Sequence, residues 1–183
     1  LETDRIADSL KLEREAGLSA VKTALEQAKK DLAKHVEAIN KLSQERKDWL
    51  ARWQYYDAQF QSLIKHNGFN GAPTLTARRG TNQTAALQAK TLTDTHDYAG
   101  ALLALAPCIV EVDALRVQAD ASTAYKVLRS RRAGEITAAP PSADQEAIDA
   151  RAAANQCLTD AGLAATAGRY SDAMVQLDAI TQH

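Results

Sequence analysis

The chain has 183 residues, with 22 basic and 23 acidic side chains and a formal net charge of −1 at pH 7. This near-neutral balance argues against a general binder of polyanions, because such proteins carry a marked excess of positive charge. Only 5% of the residues are aromatic and alanine is abundant, a composition that favours closely packed helices over strands. No run approaches the ~20 apolar residues of a membrane-spanning helix, so no membrane association is expected.

A seven-residue apolar repeat runs through the first third of the chain, and twelve of its fourteen positions are apolar. We name it the seam; its members are Leu18, Val21, Leu25, Ala28, Leu32, His35, Ile39, Leu42, Arg46, Trp49, Trp53, Tyr56, Phe60 and Leu63. The repeat predicts one long coiled-coil-like helix over residues 1–66 that packs lengthwise against another helix. His35 would then be a buried polar residue that fixes the helix register. At about 1.5 Å per residue, the helix after Gly17 would be about 70 Å long, which predicts an elongated chain.

The rest of the chain predicts a loop over residues 67–81 and a region of helical hairpins over residues 82–183. Glycine, asparagine and proline residues mark the loop, and Thr81 or Asn82 would cap the helix that follows. The expected helices cover about 83–93, 97–133, 143–167 and 170–182. Their predicted features are a kink or restart at Pro107 and a capping box formed by Ser142 and Gln145.

The apolar positions of the second long helix also recur in steps of four and three, as in an amphipathic helix. They are Ala101, Leu105, Cys108, Val112, Leu115 and Ala119, and they are candidates for the face that packs against the first helix. The predicted fold class is therefore all-α: an elongated antiparallel bundle of helical hairpins with one very long coiled-coil-like helix.

Two short segments of the chain echo each other at an offset of 72 residues, with Tyr98 aligned to Tyr170. The segment 168–173 resembles the start of the second helix of a tetratricopeptide repeat, but the preceding helices lack that family's large-residue and glycine pattern. We interpret both segments as corners of helical hairpins. In such a corner, tyrosine fills the wedge between two antiparallel helices and alanine lets them approach.

No pattern in the sequence indicates catalysis, a cofactor or a metal site. The four histidines are scattered, and neither a nucleophile elbow nor a phosphate-binding glycine loop is present. Cys108 and Cys157 are interpreted as two buried small apolar residues, with a single disulfide as the alternative in an oxidising compartment. We therefore expect no enzymatic activity, no catalytic residues, no cofactor and no bound metal.

Two groups of residues are candidates for binding. The first surrounds the end of the long helix and the following loop, and comprises Trp49, Trp53, Tyr56, Phe60, Phe69, Arg78 and Arg79. Its aromatic residues form either a local core or an exposed hot spot for a partner protein. The second group, Lys126, Arg129, Arg131 and Arg132, would end the second long helix. Cations there either form a solvated face that complements the helix dipole or contact an anion such as a phosphate.

These features predict a non-catalytic helical scaffold or protein-interaction module. The absence of an initiator methionine suggests a piece excised from a larger protein, and the alanine-rich, lysine-poor second half suggests a bacterial one. Its partner would be another protein or another domain of the same polypeptide. The alternative is a homodimeric coiled coil that positions an attached enzymatic or toxin domain. A nucleic-acid-binding helical module is a third hypothesis, which depends on the arginine cluster at residues 129–132 alone.

Overall fold

The computed structural model describes residues 2–180, apart from the side chain of Asp4. The last predicted helix residues, 181 and 182, lie outside this range. The described chain is all-α, as predicted, and contains no strand. Its α-helices are α1 (Glu2–Ile64), α2 (Pro73–Thr91), α3 (Tyr98–Ala138), α4 (Gln145–Thr166) and α5 (Tyr170–Ala179), with short 3-10 helices at Asn67–Phe69 and Leu92–Thr95. The chain divides into two units, Leu1–Lys47 and Asp48–His183.

The first unit consists of the N-terminal part of α1. None of the side chains described between residues 2 and 47 is buried. Lys29 Nζ lies 3.6 Å from Glu26 Oε1, and Lys41 Nζ lies 3.8 Å from Glu45 Oε1, at helix spacings where exposed ion pairs contribute only a few tenths of a kcal/mol. His35 is exposed, so the prediction that it is a buried register-fixing residue is wrong for this chain alone.

The second unit is built around α3, with α2 and α5 packed against it. Hydrogen bonds between side chains give the helix directions. From α1 to α2, Tyr56 contacts Asn82 and the carbonyl of Leu63 accepts from Arg79, so residue numbers rise on one helix as they fall on the other. From α2 to α3, Arg78 contacts Glu111 while Asn82 contacts Cys108. The part of α1 over residues 48–64 is therefore antiparallel to α2, and α2 is antiparallel to α3.

The core of the second unit contains the predicted apolar face of α3. Its six positions are at most 5% exposed, and the helix that carries them contacts mainly α2 and α5. Only the last part of α1, from Trp49 onwards, joins the same core. The helix expected to pack along the first helix therefore packs mainly against α2 and α5. The short connection between α2 and α3 makes these two helices neighbours.

The predicted loop over residues 67–81 is wrong, because α2 begins at Pro73. Proline suits the first position of a helix, since that position needs no N–H donor and proline's φ angle is already helical. Gly80 consequently lies inside α2. Thr81 is not a cap: its hydroxyl donates to the carbonyl of Ala77 at 3.2 Å. Asn82 is buried inside the helix rather than capping it.

The helix α3 also continues further than predicted, to Ala138 instead of residue 133. It passes Gly134 and shows no restart at Pro107. Proline removes the hydrogen bond to the carbonyl four residues earlier, here that of Leu103. Both Leu103 and Pro107 are exposed, so water can bond the freed carbonyl and the helix tolerates the proline.

The predicted capping box before α4 is wrong, and the helix begins at Gln145 rather than residue 143. Asp144 is the N-cap, and its carboxylate accepts from the backbone N–H of Glu146 at 3.3 Å. Ser142 supports this turn from outside the helix, because its hydroxyl accepts from the N–H of Asp144 at 3.1 Å. Aspartate is as good an N-cap as serine, and Asp144 stands directly before the first residue of the helix.

The two echoing segments form matching corners. His96 (φ 62°) and Gly168 (φ 77°) adopt the left-handed conformation 72 residues apart. The next N–H in each case bonds five residues back, from Asp97 to Leu92 at 3.1 Å and from Arg169 to Ala164 at 2.9 Å. This is the Schellman type of helix end, and it turns the chain back into the helix that follows. The prediction of hairpin corners is confirmed at both positions.

Candidate interaction surfaces

The N-terminal half of the seam is exposed in this chain. Its large aliphatic side chains, and Val36 beside them, range from 39% exposed for Leu42 to 67% for Val21. We name this surface the exposed seam; it consists of Leu18, Val21, Leu25, Leu32, Val36, Ile39 and Leu42. In proteins, most of the stability of a helix comes from the packing of its apolar face against other structure. A helix with this apolar face gains stability when another surface covers it.

A shallow depression lies beside the exposed seam, lined in part by Leu32, Val36 and Ala33. Lys29 and Glu37 flank it. Depressions of this kind, bounded by side chains of successive helix turns, receive the knob residues of a facing helix in a coiled coil. This depression leaves space for an apolar side chain of a partner next to Leu32 and Val36.

The aromatic candidates lie in the core instead of on an exposed hot spot. Trp49, Tyr56, Phe60 and Phe69 are between 3% and 6% exposed, and Trp53 is half-buried beside them. The rings stack in sequence along α1, with centroid distances of 5.5 Å from Trp49 to Trp53 and 5.7 Å in the next two steps. Of the two interpretations of this cluster, the structure bears out the local core.

Arg78 and Arg79, also candidates for a docking surface, bind groups of their own chain. The guanidinium of Arg78 forms a bidentate salt bridge with Glu111. Its Nε donates to Oε1 at 2.9 Å and its Nη2 donates to Oε2 at 3.1 Å. Arg79 lies over the ring of Phe69, 4.5 Å from its centroid, and donates to the carbonyl of Leu63 at 3.3 Å. These contacts hold α2 against α1 and α3, and both side chains stay partly exposed.

The four cations of α3 do not form one exposed cluster, and they do not lie in its last turn. Lys126 donates to the backbone carbonyl of Asn70, whereas Arg129 is exposed. Arg131 and Arg132 both face Glu135, at 3.6 Å and 2.8 Å, and Arg132 is only 9% exposed. The suggestion that these cations complement the end of the helix dipole is wrong, because α3 continues past them.

Burial also determines the chemistry of the cysteines and tyrosines. Both cysteines are free, with Cys108 buried and Cys157 half-buried. Burial raises the pKa of the Cys108 thiol, which disfavours the thiolate that nucleophilic chemistry requires. Burial likewise raises the pKa of Tyr125 and raises that of Tyr56 to about 12. Between residues 2 and 180, no three His, Cys, Asp or Glu side chains are grouped so that they could hold a metal ion.

Among residues 2–180, one helix is apolar enough to cross a membrane by length and composition, in contrast to the expectation from the sequence. It is α3, which contains an 18-residue window of mean hydropathy 1.6, with 28% of that window buried within the chain. The expectation counted runs of consecutive apolar residues, whereas a mean hydropathy over 18 residues tolerates a few polar ones. Glu111 in this helix pairs with Arg78, and the apolar face packs against α2 and α5. The absence of a membrane partner stays a prediction.

Comparisons of the chain with models of protein families, with curated proteins and with solved structures find no match. The surfaces described above therefore carry the functional argument.

Proposed function

We propose that this chain is a non-catalytic helical scaffold or interaction module, and that the exposed seam docks another helix. One observation carries the proposal. The same seven-residue repeat is exposed from Leu18 to Leu42, yet from Trp49 to Leu63 its apolar members are buried or half-buried. The half that has a helical partner within the chain is covered, and the half without one presents the same pattern to solvent.

The energetics of docking are adequate for a specific complex. Burying a large aliphatic side chain stabilises by about 1.5–3 kcal/mol, and the seven side chains of the exposed seam are roughly half exposed. Covering them would contribute on the order of 5–10 kcal/mol, and the partner's apolar face adds a comparable amount. The sum exceeds most of the about 4–15 kcal/mol that association costs in lost freedom.

The test is a crosslinking experiment in the organism of origin. A photoreactive phenylalanine analogue replaces Ile39 in the exposed seam or, as the matched control, Lys30 on the opposite face of the same helix. We expect the analogue at position 39 to give one dominant crosslinked species and the analogue at position 30 to give none. Equal crosslinking at both positions, or none at position 39, would contradict docking on the seam.

A second copy of the chain is the alternative partner. In a parallel pair, Lys22 and Lys29 on one helix would face Gly17 and Ala24 on the other, so no like charges meet along the flanks of the seam. Sedimentation over a range of concentrations distinguishes the two. A dimer that Leu32→Asp converts to a monomer would favour the homodimeric coiled coil. A monomer at every concentration would favour a different polypeptide as the partner.

A further inference from the structure

A cavity of about 670 Å³ lies between the end of α3 and the start of α4. Its walls are mostly apolar and include Ile136, Ala147, Ile148 and Ile180. This volume falls within the range of about 300–1,000 Å³ that is usual for small-molecule sites. Ile148 is 46% exposed, which leaves apolar surface for a ligand to cover.

The charged residues of this cavity favour an anion. Its lining includes two guanidiniums, Arg132 and Arg151, and one carboxylate, Glu135. Glu135 is shared, because it accepts from Arg132 at 2.8 Å and also lies 3.6 Å from Arg131. The guanidinium of Arg151 donates to the carbonyls of Ile136 and Ala139, which end α3. Positive charge is therefore in excess at this wall.

Arg132 is a buried cation of this cavity whose hydrogen bonds are incomplete. It is 9% exposed, and its Nε has no hydrogen-bond partner. Buried polar groups are nearly always paired, and a guanidinium binds a carboxylate strongly because two of its N–H groups match the two carboxylate oxygens. Glu135 binds only one side of this guanidinium, through Nη1. A second carboxylate would bind the side of the guanidinium that Glu135 leaves free.

We propose that this cavity binds a small amphipathic monoanion, a carboxylate attached to an apolar chain, of the class to which medium-chain fatty acids belong. The carboxylate binds the Arg132 guanidinium. The apolar chain covers Ile148 and the neighbouring aliphatic side chains of the wall. The cavity belongs to the second unit, so this proposal does not depend on helix docking at the exposed seam.

The experiment titrates the whole chain with decanoate, below the concentration at which decanoate forms micelles, and follows binding by calorimetry. Decanol, which has the same chain without the charge, is the matched ligand. We expect decanoate to bind at least about tenfold more tightly than decanol, since a charge-assisted hydrogen bond is lost with the carboxylate. No binding of decanoate, or equal affinities for the two ligands, would overturn the proposal.

Two variants locate the ligand. Arg132→Met should reduce the decanoate affinity about tenfold and leave decanol unchanged, whereas Arg129→Met, an exposed cation on the same helix, should change neither. Because Arg132 is buried, its variant could fail to fold, so Ile148→Ser is the second variant. Ile148 is partly exposed, and the loss of its apolar surface should weaken both ligands. Decanoate binding that Ile148→Ser leaves unchanged would overturn the proposal.

Discussion

The hydroxyl of Tyr56 donates a hydrogen bond to Oδ1 of Asn82 at 3.2 Å, inside the core of the second unit. Both side chains are nearly fully buried. The amide of Asn82 in turn donates to the backbone carbonyl of Cys108 at 2.9 Å, so one short chain of bonds joins α1, α2 and α3. A shift of any of the three helices by one turn would leave a buried polar group unpaired. These two hydrogen bonds therefore fix the register of the three helices.

Replacing Tyr56 with phenylalanine tests this role. The ring still fills its place between Trp53 and Phe60, but Oδ1 of Asn82 loses its donor. We expect Tyr56→Phe to lower the free energy of unfolding by about 1–3 kcal/mol, the usual cost of an unpaired buried group. The control is Tyr55→Phe, whose exposed hydroxyl contacts Asp113 at 3.3 Å and should contribute less than about 0.5 kcal/mol. Equal losses in urea denaturation would contradict the register role.

The same tyrosine predicts a loss of stability in strong alkali. Its pKa is raised from 10.0 to about 12, first by burial and then by the nearby Cys108 and Asp57. Because the folded value lies above the unfolded value, the contribution of the neutral phenol is fully present below pH 10 and is lost as the pH rises towards 12. Urea denaturation across this range should show a steeper decline for the wild type than for Tyr56→Phe. Identical slopes would show that Tyr56 does not titrate as inferred.

The helical content of the chain follows from its local pattern, and so does the position of Asn82 on the buried face of α2. The buried positions of α2 are Leu75, Asn82, Ala86 and Ala89, spaced by seven, four and three, as on one face of a helix. The signal for α2 was thus present between residues 73 and 91. The sequence predicts only the second half of this helix, over about 83–93, because Gly80 and the turn-forming residues near it favour a loop.

The exposure of the seam could not be predicted from the sequence. Leu32 and Leu63 are both core positions of the same seven-residue repeat, and the pattern predicts burial for both. Which of them is covered depends on where other helices end, and this is a property of the tertiary arrangement. The cavity beside Arg132 depends on tertiary structure in the same way, since Ile148 and Ile180 meet it from different helices.

The close approach of the turn after α1 to α3 gives a sharp test of packing. A Cβ atom on Gly68 would lie 2.0 Å from the carbonyl oxygen of Ala119 and 2.7 Å from its Cα. Backbone atoms cannot move aside cheaply, so Gly68→Ala should destabilise by about 3 kcal/mol. The matched control is Gly80→Ala inside α2, where a Cβ meets nothing within 4 Å. It should stabilise by about 0.5–1 kcal/mol through helix propensity. Thermal unfolding of both variants measures the contrast, and a neutral Gly68→Ala would contradict the close approach.

At the two matching corners, adding a glycine and removing one should change the stability in opposite directions. A side chain in the left-handed conformation costs about 1 kcal/mol, and His96 bears this cost at φ 62°. His96→Gly should therefore stabilise by about 0.5 kcal/mol, since the flexibility of the unfolded glycine offsets part of the gain. Gly168→Ala should destabilise by about 1–2 kcal/mol, because φ is 77° and the added Cβ would lie 3.0 Å from Thr74. Chemical denaturation of the two variants measures both signs, and a stabilising Gly168→Ala would contradict the inferred strain.

The division of the seam predicts that one substitution has two different outcomes along the same helix. Leu63 is 1% exposed and Leu32 is 64% exposed. Leu63→Asp places an unpaired charge in the core, so it should lower the free energy of unfolding by on the order of 4 kcal/mol. Leu32→Asp adds a solvated charge to the isolated chain and should change the stability of the second unit by less than about 0.5 kcal/mol.

Association should respond in the reverse order. Leu32→Asp should abolish capture of the helix that the seam docks, because binding would desolvate the carboxylate without a partner for it. In the crosslinking experiment, adding Leu32→Asp should remove the species trapped at position 39. Ser19→Asp, on the same stretch of α1 but outside the seam, is the charge-matched control and should retain it. If Leu32→Asp instead destabilised the isolated chain as strongly as Leu63→Asp, the N-terminal half of the seam would be packed within the chain. Docking of another helix would then not explain the apolar repeat there.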